Sequence, residues 1–369
     1  MRIAIVHDYL NQYGGAEKVV EVLHELFPEA PIFTTIYDKS KLPQCFSKID
    51  IRTSFMQNFP FLDKHFKKYL LFYPKAIESF DLKEFDLILS SSSAFAKGAI
   101  KDNDSCHICY CYTPMRFVWD YESYIEKENI GAITKKFLSL AIKKLRKWDL
   151  KTISRVDYYV AISEYIRNRI KKCYNRDAEV IYPPVNVKEF RISKNIEDYF
   201  LIVSRLNAYK NIDLVIDVFN ELGLNLKIVG DGPYRKVLEN MTKTKNIEFL
   251  GRLKDEELKE VYSKCRAYIF PGKEDFGISS VEAQASGRPV IAYAEGGALE
   301  TVIEGVTGLF FKENSKDSLI DTIKYFLKIE EKFNQKAIII NALRFDKSIF
   351  KNRIREFIYK KYGEYSKVK

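Results

Sequence analysis

The groups best suited to binding an anion come directly after one predicted strand, at the start of the helix that follows it. Backbone N–H groups of Gly277, Ile278 and Ser279 should point out of that helix, where a negative charge such as a diphosphate is favoured. Two carboxylates accompany them, Glu274 in the loop and Glu282 in the first turn of the helix. The segment therefore predicts a binding site for a phosphorylated ligand.

Both carboxylates also have an interpretation that needs no ligand. Ser279 and Glu282 have the spacing of a capping box, in which the two side chains satisfy backbone N–H groups at the helix start, worth about 1 kcal/mol. Glu274 lies beside Asp275 before a glycine turn, where a carboxylate can simply be solvated. From the residues alone, a ligand-binding and a structural role stay open for each.

A pair of cations follows the predicted strand at 200–203. Arg205 leaves the carboxyl end of that strand, the edge where wound sheets bind ligands, and Lys210 comes just before the next helix. Two cations a short loop apart can grip a diphosphate and stabilise it as a leaving group without a divalent metal. The alternative is a pair of solvated surface cations, which is commoner for Lys than for an Arg at a strand end.

Two alternating series of strands and helices position these groups. The first opens with a strand, a turn containing Gly14 and Gly15, and a helix at 17–26, as a βαβ unit does. Pro183 and Pro184 interrupt the pattern, because neither a helix interior nor a central strand accepts a proline pair. The predicted strands lie at 2–6, 86–90, 107–111, 158–162 and 178–181 before the prolines, and at 200–203, 226–229, 247–250, 267–270 and 289–292 after them.

These two series predict an α/β protein of two doubly wound Rossmann-like domains that face each other across a cleft, with the prolines as a hinge. The length agrees, since 369 residues suit two domains of roughly 100–200 residues each. We assign residues 1–185 to the N-terminal domain and 186–345 to the C-terminal domain. Residues 346–369 form a helical tail whose domain stays open. It either packs on the C-terminal domain or crosses back to the N-terminal one.

The composition excludes several classes of protein. With 46% hydrophobic and 30% charged residues, the chain is globular rather than disordered. No apolar run approaches the roughly 18 residues of a membrane span, and no zinc-finger, RRM or KH signature supports nucleic-acid binding. Alternation places Cys106 and Cys109 on opposite faces of a strand, and Cys109 with Cys111 falls short of a zinc site. We therefore expect free thiols and no metal site.

The net charge of +10 is concentrated in two windows. Residues 134–172 carry twelve basic and three acidic side chains, and residues 351–369 carry seven and two. In the first window, cations and apolar residues recur at helical spacing. That pattern suits a helix lying on anionic lipid headgroups, or a solvated helix packed on its own domain. A second segment at 64–73 is both basic and aromatic. The cations at the centre of the first window are Lys143, Lys144, Arg146 and Lys147.

Taken in order, these motifs resemble the retaining GT-B glycosyltransferases of family 4, over nearly the whole chain. The segment from Tyr110 to Arg116 looks like the bacterial subgroup that builds O-antigen and exopolysaccharide, whose members are often mannosyltransferases. The motifs that carry the resemblance are Gly14-Gly15-Ala16-Glu17, Arg205 with Lys210, Gly230-Asp231-Gly232-Pro233, Glu274 through Glu282, and Gly296-Gly297-Ala298-Leu299-Glu300-Thr301.

The resemblance implies a role for each candidate residue. Arg205 and Lys210 would bind the donor diphosphate and stabilise the leaving nucleotide, and Glu274 would hold hydroxyls of the donor sugar. Glu282 would accept hydrogen bonds from the ribose hydroxyls, which a capping role does not exclude. The further implied donor contacts are Gly277, Ile278 and Ser279 at the helix start, Gly14 and Gly15 in the N-terminal domain, Gly230, and Arg252 with Leu253 around the nucleobase.

The chain departs from the family at one position. Many members place a histidine of the N-terminal domain near the donor sugar, but none of the four histidines here falls in the Tyr112-Thr113-Pro114 segment. Either Thr113, Arg116 or Asp120 replaces this histidine, or the subgroup has no side chain in that role.

The activity implied is retaining transfer of a hexose onto a lipid-linked or growing glycan acceptor. The favoured hexose is mannose, with GDP-mannose as its donor. Attack would occur on the face that the nucleotide leaves, with the departing diphosphate oxygen taking the acceptor's proton. The resemblance implies no cofactor and no divalent metal, and a cytoplasmic protein held peripherally at the inner face of the cell membrane. Alternatives are a UDP-sugar donor, a phosphorylase or epimerase on the same fold, or a non-catalytic, membrane-associated nucleotide-binding scaffold.

Overall fold

The computed structural model of the chain describes residues 1–120 and 132–368. The chain divides into two compact units. The first contains Met1–Pro184 together with Phe350–Lys369, and the second contains Val185–Ile349. Each unit has its own sheet and its own hydrophobic core, so each is described separately.

The first unit is built on a seven-stranded sheet in the order β3-β2-β1-β4-β5-β6-β7, and every pairing in it is parallel. Its three central strands, at 3–7, 87–92 and 106–111, are buried along their whole length, as strands covered on both faces are. Most of their residues are apolar, but the second of them ends in three buried serines. The strands are β1 Ile3–His7, β2 Ile32–Thr34, β3 Ile51–Thr53, β4 Leu87–Ser92, β5 Cys106–Cys111, β6 Tyr158–Ala161 and β7 Ala178–Val180.

Helices cover this sheet with amphipathic faces. The helix at residues 132–151 buries Ile142 and Leu145 in the same cluster as Ala4 and Ile88 of the sheet. The helices are α1 Gly15–Leu26, α2 Leu62–His65, α3 Tyr73–Glu78, α4 Arg116–Trp119, α5 Ala132–Lys151 and α6 Glu164–Tyr174, and α14 Lys347–Val368 joins this unit from Phe350 onward.

The second unit carries a six-stranded sheet in the order β10-β9-β8-β11-β12-β13, again with parallel pairings. Its strands are β8 Phe200–Val203, β9 Leu226–Val229, β10 Ile247–Gly251, β11 Tyr268–Phe270, β12 Val290–Tyr293 and β13 Gly308–Phe311. Its helices are α7 Ile212–Leu222, α8 Arg235–Met241, α9 Asp255–Lys264, α10 Ile278–Ala285, α11 Ala298–Thr301, α12 Lys316–Ile329 and α13 Gln335–Leu343.

In each sheet the strand order reverses once, between β1 and β4 in the first unit and between β8 and β11 in the second. Such a reversal is the switch point of a doubly wound sheet, and ligands bind beside it at the carboxyl ends of the strands. The predicted fold class, two Rossmann-like α/β domains, is therefore confirmed. The short strands β2, β3 and β13 are additions that the sequence pattern did not reveal.

Candidate active site

The switch point of the second unit brings two predicted site residues into contact. Lys210 ends a single 3₁₀ turn, Ala208–Lys210, that follows β8, and Glu274 lies in the loop after β11. The Lys210 Nζ lies 2.5 Å from the Glu274 Oε1, with 13% and 24% of the two side chains exposed. A cation and a carboxylate that sequence places far apart are thus held together at the edge of the sheet where ligands bind.

Backbone contacts fix this pair. The Glu274 carbonyl accepts a hydrogen bond of 2.9 Å from the Gly297 N–H, and a Cβ at Gly296 would lie 2.4 Å from that same carbonyl oxygen. Gly272 passes the Lys210 backbone closely, since a Cβ there would lie 3.2 Å from the Lys210 oxygen. Gly272 and Gly296 therefore allow neighbouring loops to pass close to the ion pair.

Arg205 lies on the same loop as Lys210, directly beyond β8, and its side chain is exposed. The backbone of this loop contacts the segment that begins at Gly230. The Leu206 N–H donates to the Asp231 carbonyl at 3.1 Å, and a Cβ at Gly230 would lie only 1.9 Å from the Ser204 oxygen. Gly230 therefore supports the cation-bearing loop through close backbone contact.

The capping-box interpretation of Ser279 and Glu282 is wrong. Helix α10 begins at Ile278 with Gly277 as its N-cap, so Glu282 is the fifth helical residue and not part of the cap. The Ser279 hydroxyl lies 2.8 Å from the Tyr268 hydroxyl. The Glu282 Oε2 accepts a 3.1 Å hydrogen bond from the buried Tyr262 hydroxyl.

The helix starts early because of one glycine. Gly277 has a φ of +89°, and a Cβ there would lie 2.5 Å from the Phe270 ring, so only glycine fits. The N–H groups of Ile278 and Ser279 lie in the first turn of α10, where backbone N–H groups have no intrahelical acceptor.

Two predicted residues lie farther from the pair in the sheet. Arg252 is exposed and Leu253 half-buried, directly after β10, the edge strand two positions from β8.

The switch point of the first unit carries a buried polar group that sequence reasoning missed. His7 and Ser91 are register partners on β1 and β4, and the His7 Nδ1 lies 3.1 Å from the Ser91 Oγ. The Ser91 Oγ lies 2.8 Å from the Tyr112 hydroxyl, which donates to the Ala16 carbonyl at 3.0 Å. Asp8, next to His7, accepts hydrogen bonds from the backbone N–H groups of residues 93–96.

The predicted glycine turn at Gly14 and Gly15 lies next to these buried polar side chains. Gly14 is the N-cap of α1, and its N–H donates to the Glu17 Oε2 at 2.8 Å. Burial of Glu17 disfavours its charged form, but hydrogen bonding and the charge of His7 outweigh burial, so the pKa of Glu17 is lowered. Burial also raises the pKa of Tyr112 well above its usual value, which keeps the phenol protonated.

The three candidates for the missing family histidine differ in their surroundings. Thr113 is buried, with its hydroxyl donating to the Pro114 carbonyl at 3.1 Å. Arg116 is half-buried at the start of α4. Asp120 forms an ion pair of 2.7 Å with Arg169, so its carboxylate already has a cation partner.

Within residues 1–120 and 132–368, no three His, Cys, Asp or Glu side chains come together as a metal-ligating group. Cys109 and Cys111 share a strand face, and the hydrogen bond between them, with burial, raises the pKa of Cys111. Within the same ranges, every helix is too short or too polar to cross a bilayer.

Both halves of the chain match models of known families. Residues 13–189 match "Glycosyltransferase Family 4" and residues 186–343 match "Glycosyl transferases group 1". The uncharacterized glycosyltransferase MJ1178 of Methanocaldococcus jannaschii is 34% identical over 47% of this chain and 51% of its own length. The O-antigen chain mannosyltransferase RfbU of Salmonella typhimurium is 36% identical over 38% of this chain and 43% of its own length. The chain thus aligns with about half the length of these relatives.

A solved structure extends the likeness to the whole fold. Anabaena Alr3699/HepE, crystallised with UDP and glucose, superimposes with a TM-score of 0.73 at 18% identity, covering 97% of this chain and 99% of that one. At that identity the comparison establishes the shared two-domain fold.

Proposed function

We propose that this chain, which belongs to the GT-B glycosyltransferases with a family 4 half and a group 1 half, transfers a hexose from a nucleotide-sugar to an acceptor glycan. The observation that carries the proposal is the Lys210–Glu274 ion pair at the switch point of the second sheet. It supplies one group for the phosphates and one for sugar hydroxyls at the edge where nucleotides bind in this fold.

The second unit would bind the donor. Lys210 and Arg205 would contact the diphosphate, whose charge grows as the bond to the sugar breaks, so that cations there stabilise the transition state. When a donor phosphate pairs with Lys210 in place of Glu274, the Glu274 carboxylate can accept hydrogen bonds from the sugar hydroxyls. The N–H groups of Ile278 and Ser279 and the Glu282 carboxylate would complete the site, and no divalent metal is required for it.

The reaction we propose is retaining. The bond between the anomeric carbon and the diphosphate oxygen breaks, and the acceptor hydroxyl forms its bond on the same face. The departing phosphate oxygen takes the proton that the hydroxyl loses, so nucleoside diphosphate is the second product and no separate base is needed.

Mannose from GDP-mannose is the donor we favour, and an O-antigen or exopolysaccharide intermediate on a lipid carrier is the favoured acceptor. The similarity to the mannosyltransferase RfbU supports this choice. A UDP-sugar is the alternative donor, and a nucleotide-binding scaffold without catalysis is the alternative function.

Labelled donors distinguish these possibilities. The purified chain is incubated with GDP-mannose, UDP-glucose, UDP-N-acetylglucosamine or an ADP-sugar and a membrane lipid extract of the source organism, and label in the organic phase is counted. We expect transfer from GDP-mannose, and NMR of the product should show the anomeric configuration of the donor. Transfer from a UDP-sugar alone would replace the donor assignment, and binding without transfer would favour the scaffold.

We further propose that helix α5 brings the protein to an anionic membrane surface at the inner face of the cell membrane. Its buried side packs on its own domain, whereas Lys143, Lys144, Arg146 and Lys147 are exposed. Leu140, 58% exposed, lies on the same side. Cations around exposed apolar residues suit lipid headgroups. The side chains of residues 132–137 lie outside the described residues.

The basic and aromatic segment at 64–73 supports the same partner. Phe61, just before it, is 72% exposed in a left-handed conformation with a φ of +53°, and Leu71 and Phe72 are 44% and 48% exposed. Exposed Phe and Leu side chains beside cations are typical of segments that lie in the membrane–water interface. The side chains of Lys64 and Lys67 lie outside the described residues.

Vesicle co-sedimentation tests the membrane proposal without any substrate. Replacing Lys143, Lys144, Arg146 and Lys147 by Ser should weaken binding to phosphatidylglycerol-containing vesicles at least about tenfold, since each cation near the surface contributes roughly 1 kcal/mol. Equal weakening in a control with four exposed cations of the second unit replaced would contradict a specific surface. That control replaces Lys236, Lys243, Lys245 and Lys254.

A further inference from the structure

The buried polar side chains at the switch point of the first unit form a closed ring beneath the glycine turn. Starting from Glu17, the ring runs through His7, Ser91 and Tyr112 to the carbonyl of Ala16, which is bonded covalently to Glu17. Each of the four side chains is at least nine-tenths buried.

Between His7 and the Ala16 carbonyl, the hydrogen-bond donors all point the same way. The His7 Nδ1 lies 3.0 Å from the Ser91 carbonyl, which can only accept, so this nitrogen carries a hydrogen. The Tyr112 hydroxyl donates to the Ala16 carbonyl, which leaves the Ser91 hydroxyl as donor to Tyr112. On the other side, the His7 Nε2 faces the Glu17 Oε1 at 3.8 Å. The ring therefore has one consistent hydrogen-bond order from His7 to the backbone of the turn.

The turn is attached to this ring at three points. Glu17 accepts from the Gln12 amide at 3.2 Å and from the Gly14 N–H at 2.8 Å, and Tyr112 holds the Ala16 carbonyl. Gly15, between two of these points, is exposed. A turn of small residues would otherwise sample many conformations, because glycine loses the most backbone freedom on ordering.

We propose that Glu17 and Tyr112 are positioning residues that hold the Gly14–Gly15 backbone ready for substrate through this ring. This proposal rests on the proposed function only for the identity of the substrates, since the attachment of the turn is a property of the chain itself. Neither residue touches the reacting atoms, so their loss should raise the KM of the substrate that contacts the turn and leave kcat nearly unchanged.

Tyr112→Phe tests the proposal, and Tyr110→Phe is its matched control. Tyr110 is also buried, lies in β5 two residues before Tyr112, and donates its hydroxyl hydrogen to the Ile181 carbonyl at 2.9 Å and not to the turn. Tyr110→Phe loses one buried hydrogen bond, whereas Tyr112→Phe loses the bonds to the Ala16 carbonyl and from the Ser91 hydroxyl. One such bond is worth about fivefold in an equilibrium, and only Tyr112→Phe should loosen the turn.

Two measurements are needed. Hydrogen exchange of the amides at residues 14–17 should quicken roughly fivefold in Tyr112→Phe and remain at the wild-type rate in Tyr110→Phe. In the transfer assay, Tyr112→Phe and Glu17→Gln should each raise the KM of donor or acceptor about fivefold with kcat within about twofold. Equal exchange in the two tyrosine variants, or a loss of kcat at unchanged KM, would overturn the proposal. A wild-type chain that transfers no sugar refutes the proposed function while the exchange result still decides the inference.

Discussion

Lys210 and Glu274 form an ion pair of 2.5 Å although 64 residues separate them in the sequence. Neither lies in a strand. One follows β8 and the other follows β11, and these strands are neighbours only because the strand order of the sheet reverses between them. The same topology places His7 beside Ser91 in the first unit. The switch point of each sheet therefore assembles the polar groups on which the proposed chemistry depends.

The Tyr262 hydroxyl should matter for nucleotide binding because it donates to the Glu282 carboxylate, to which we assign the ribose. Tyr262→Phe should weaken nucleoside diphosphate binding about fivefold, the effect of one lost hydrogen bond. Isothermal titration calorimetry with the nucleoside diphosphate measures this directly. Tyr199→Phe is the matched control, since Tyr199 is buried in the same cluster and donates to the Val261 carbonyl. An equal loss in both variants, or an undiminished affinity in Tyr262→Phe for the ribonucleotide, would argue against this role.

Gly230 should be intolerant of any side chain. Its φ is +126° and a Cβ would overlap the Ser204 oxygen, so Gly230→Ala should lower the free energy of unfolding of the second unit by at least about 3 kcal/mol. Gly223 is the control, because its φ is also positive, at +66°, but no atom lies within 4 Å of its Cβ position. Gly223→Ala should cost only about 1 kcal/mol. Urea unfolding followed by circular dichroism tests the pair, and equal losses would contradict the steric account.

His107 should make the first unit sensitive to acid. Burial lowers the pKa of His107 from 6.5 to about 4, although its ring is hydrogen bonded to Ser90 and to the Arg155 carbonyl. Between about pH 6.5 and 4, His107 is therefore protonated in the unfolded chain and neutral in the folded chain. Stability from this group is complete above about pH 6.5 and is lost as the pH falls toward 4.

The fluorescence of the two tryptophans, Trp119 and Trp148, measures this because both lie in the first unit. Urea midpoints of the wild type should fall between pH 6.5 and 4, and those of His107→Gln should fall less steeply. The exposed His65 provides the control His65→Gln. Parallel curves for wild type and His107→Gln would show that His107 does not cause the acid sensitivity.

Much of this molecule could be predicted from its sequence. The predicted strands at 200–203 and 226–229 coincide with the structure, because apolar runs of the right length are bounded by polar or glycine turns. Strands β2 and β3 were missed, since three residues are too few to show a periodicity and the Ile51–Thr53 strand is largely solvent-facing at an edge.

The candidate site was predictable only in part. The glycine motifs and the Lys210 and Glu274 side chains are visible in the sequence, but their contact depends on which strands are neighbours. The capping box failed because Gly277 must adopt a left-handed conformation against Phe270, which starts the helix before Ser279. The ring of His7, Glu17, Ser91 and Tyr112 joins two strands, the residue after a third strand and a helix, so no local sequence spacing predicts it.

The central claim, that Lys210 acts on the leaving diphosphate of a sugar donor, is tested most directly by the rate of label transfer in Lys210→Ala. The control is Lys316→Ala in the same unit, which removes an exposed cation paired with Glu221 at 2.6 Å. We expect Lys210→Ala to lose at least about 100-fold in rate, as for other groups that stabilise developing charge, and Lys316→Ala to stay within about twofold of the wild type. A Lys210→Ala variant that transfers sugar at the wild-type rate would contradict the account.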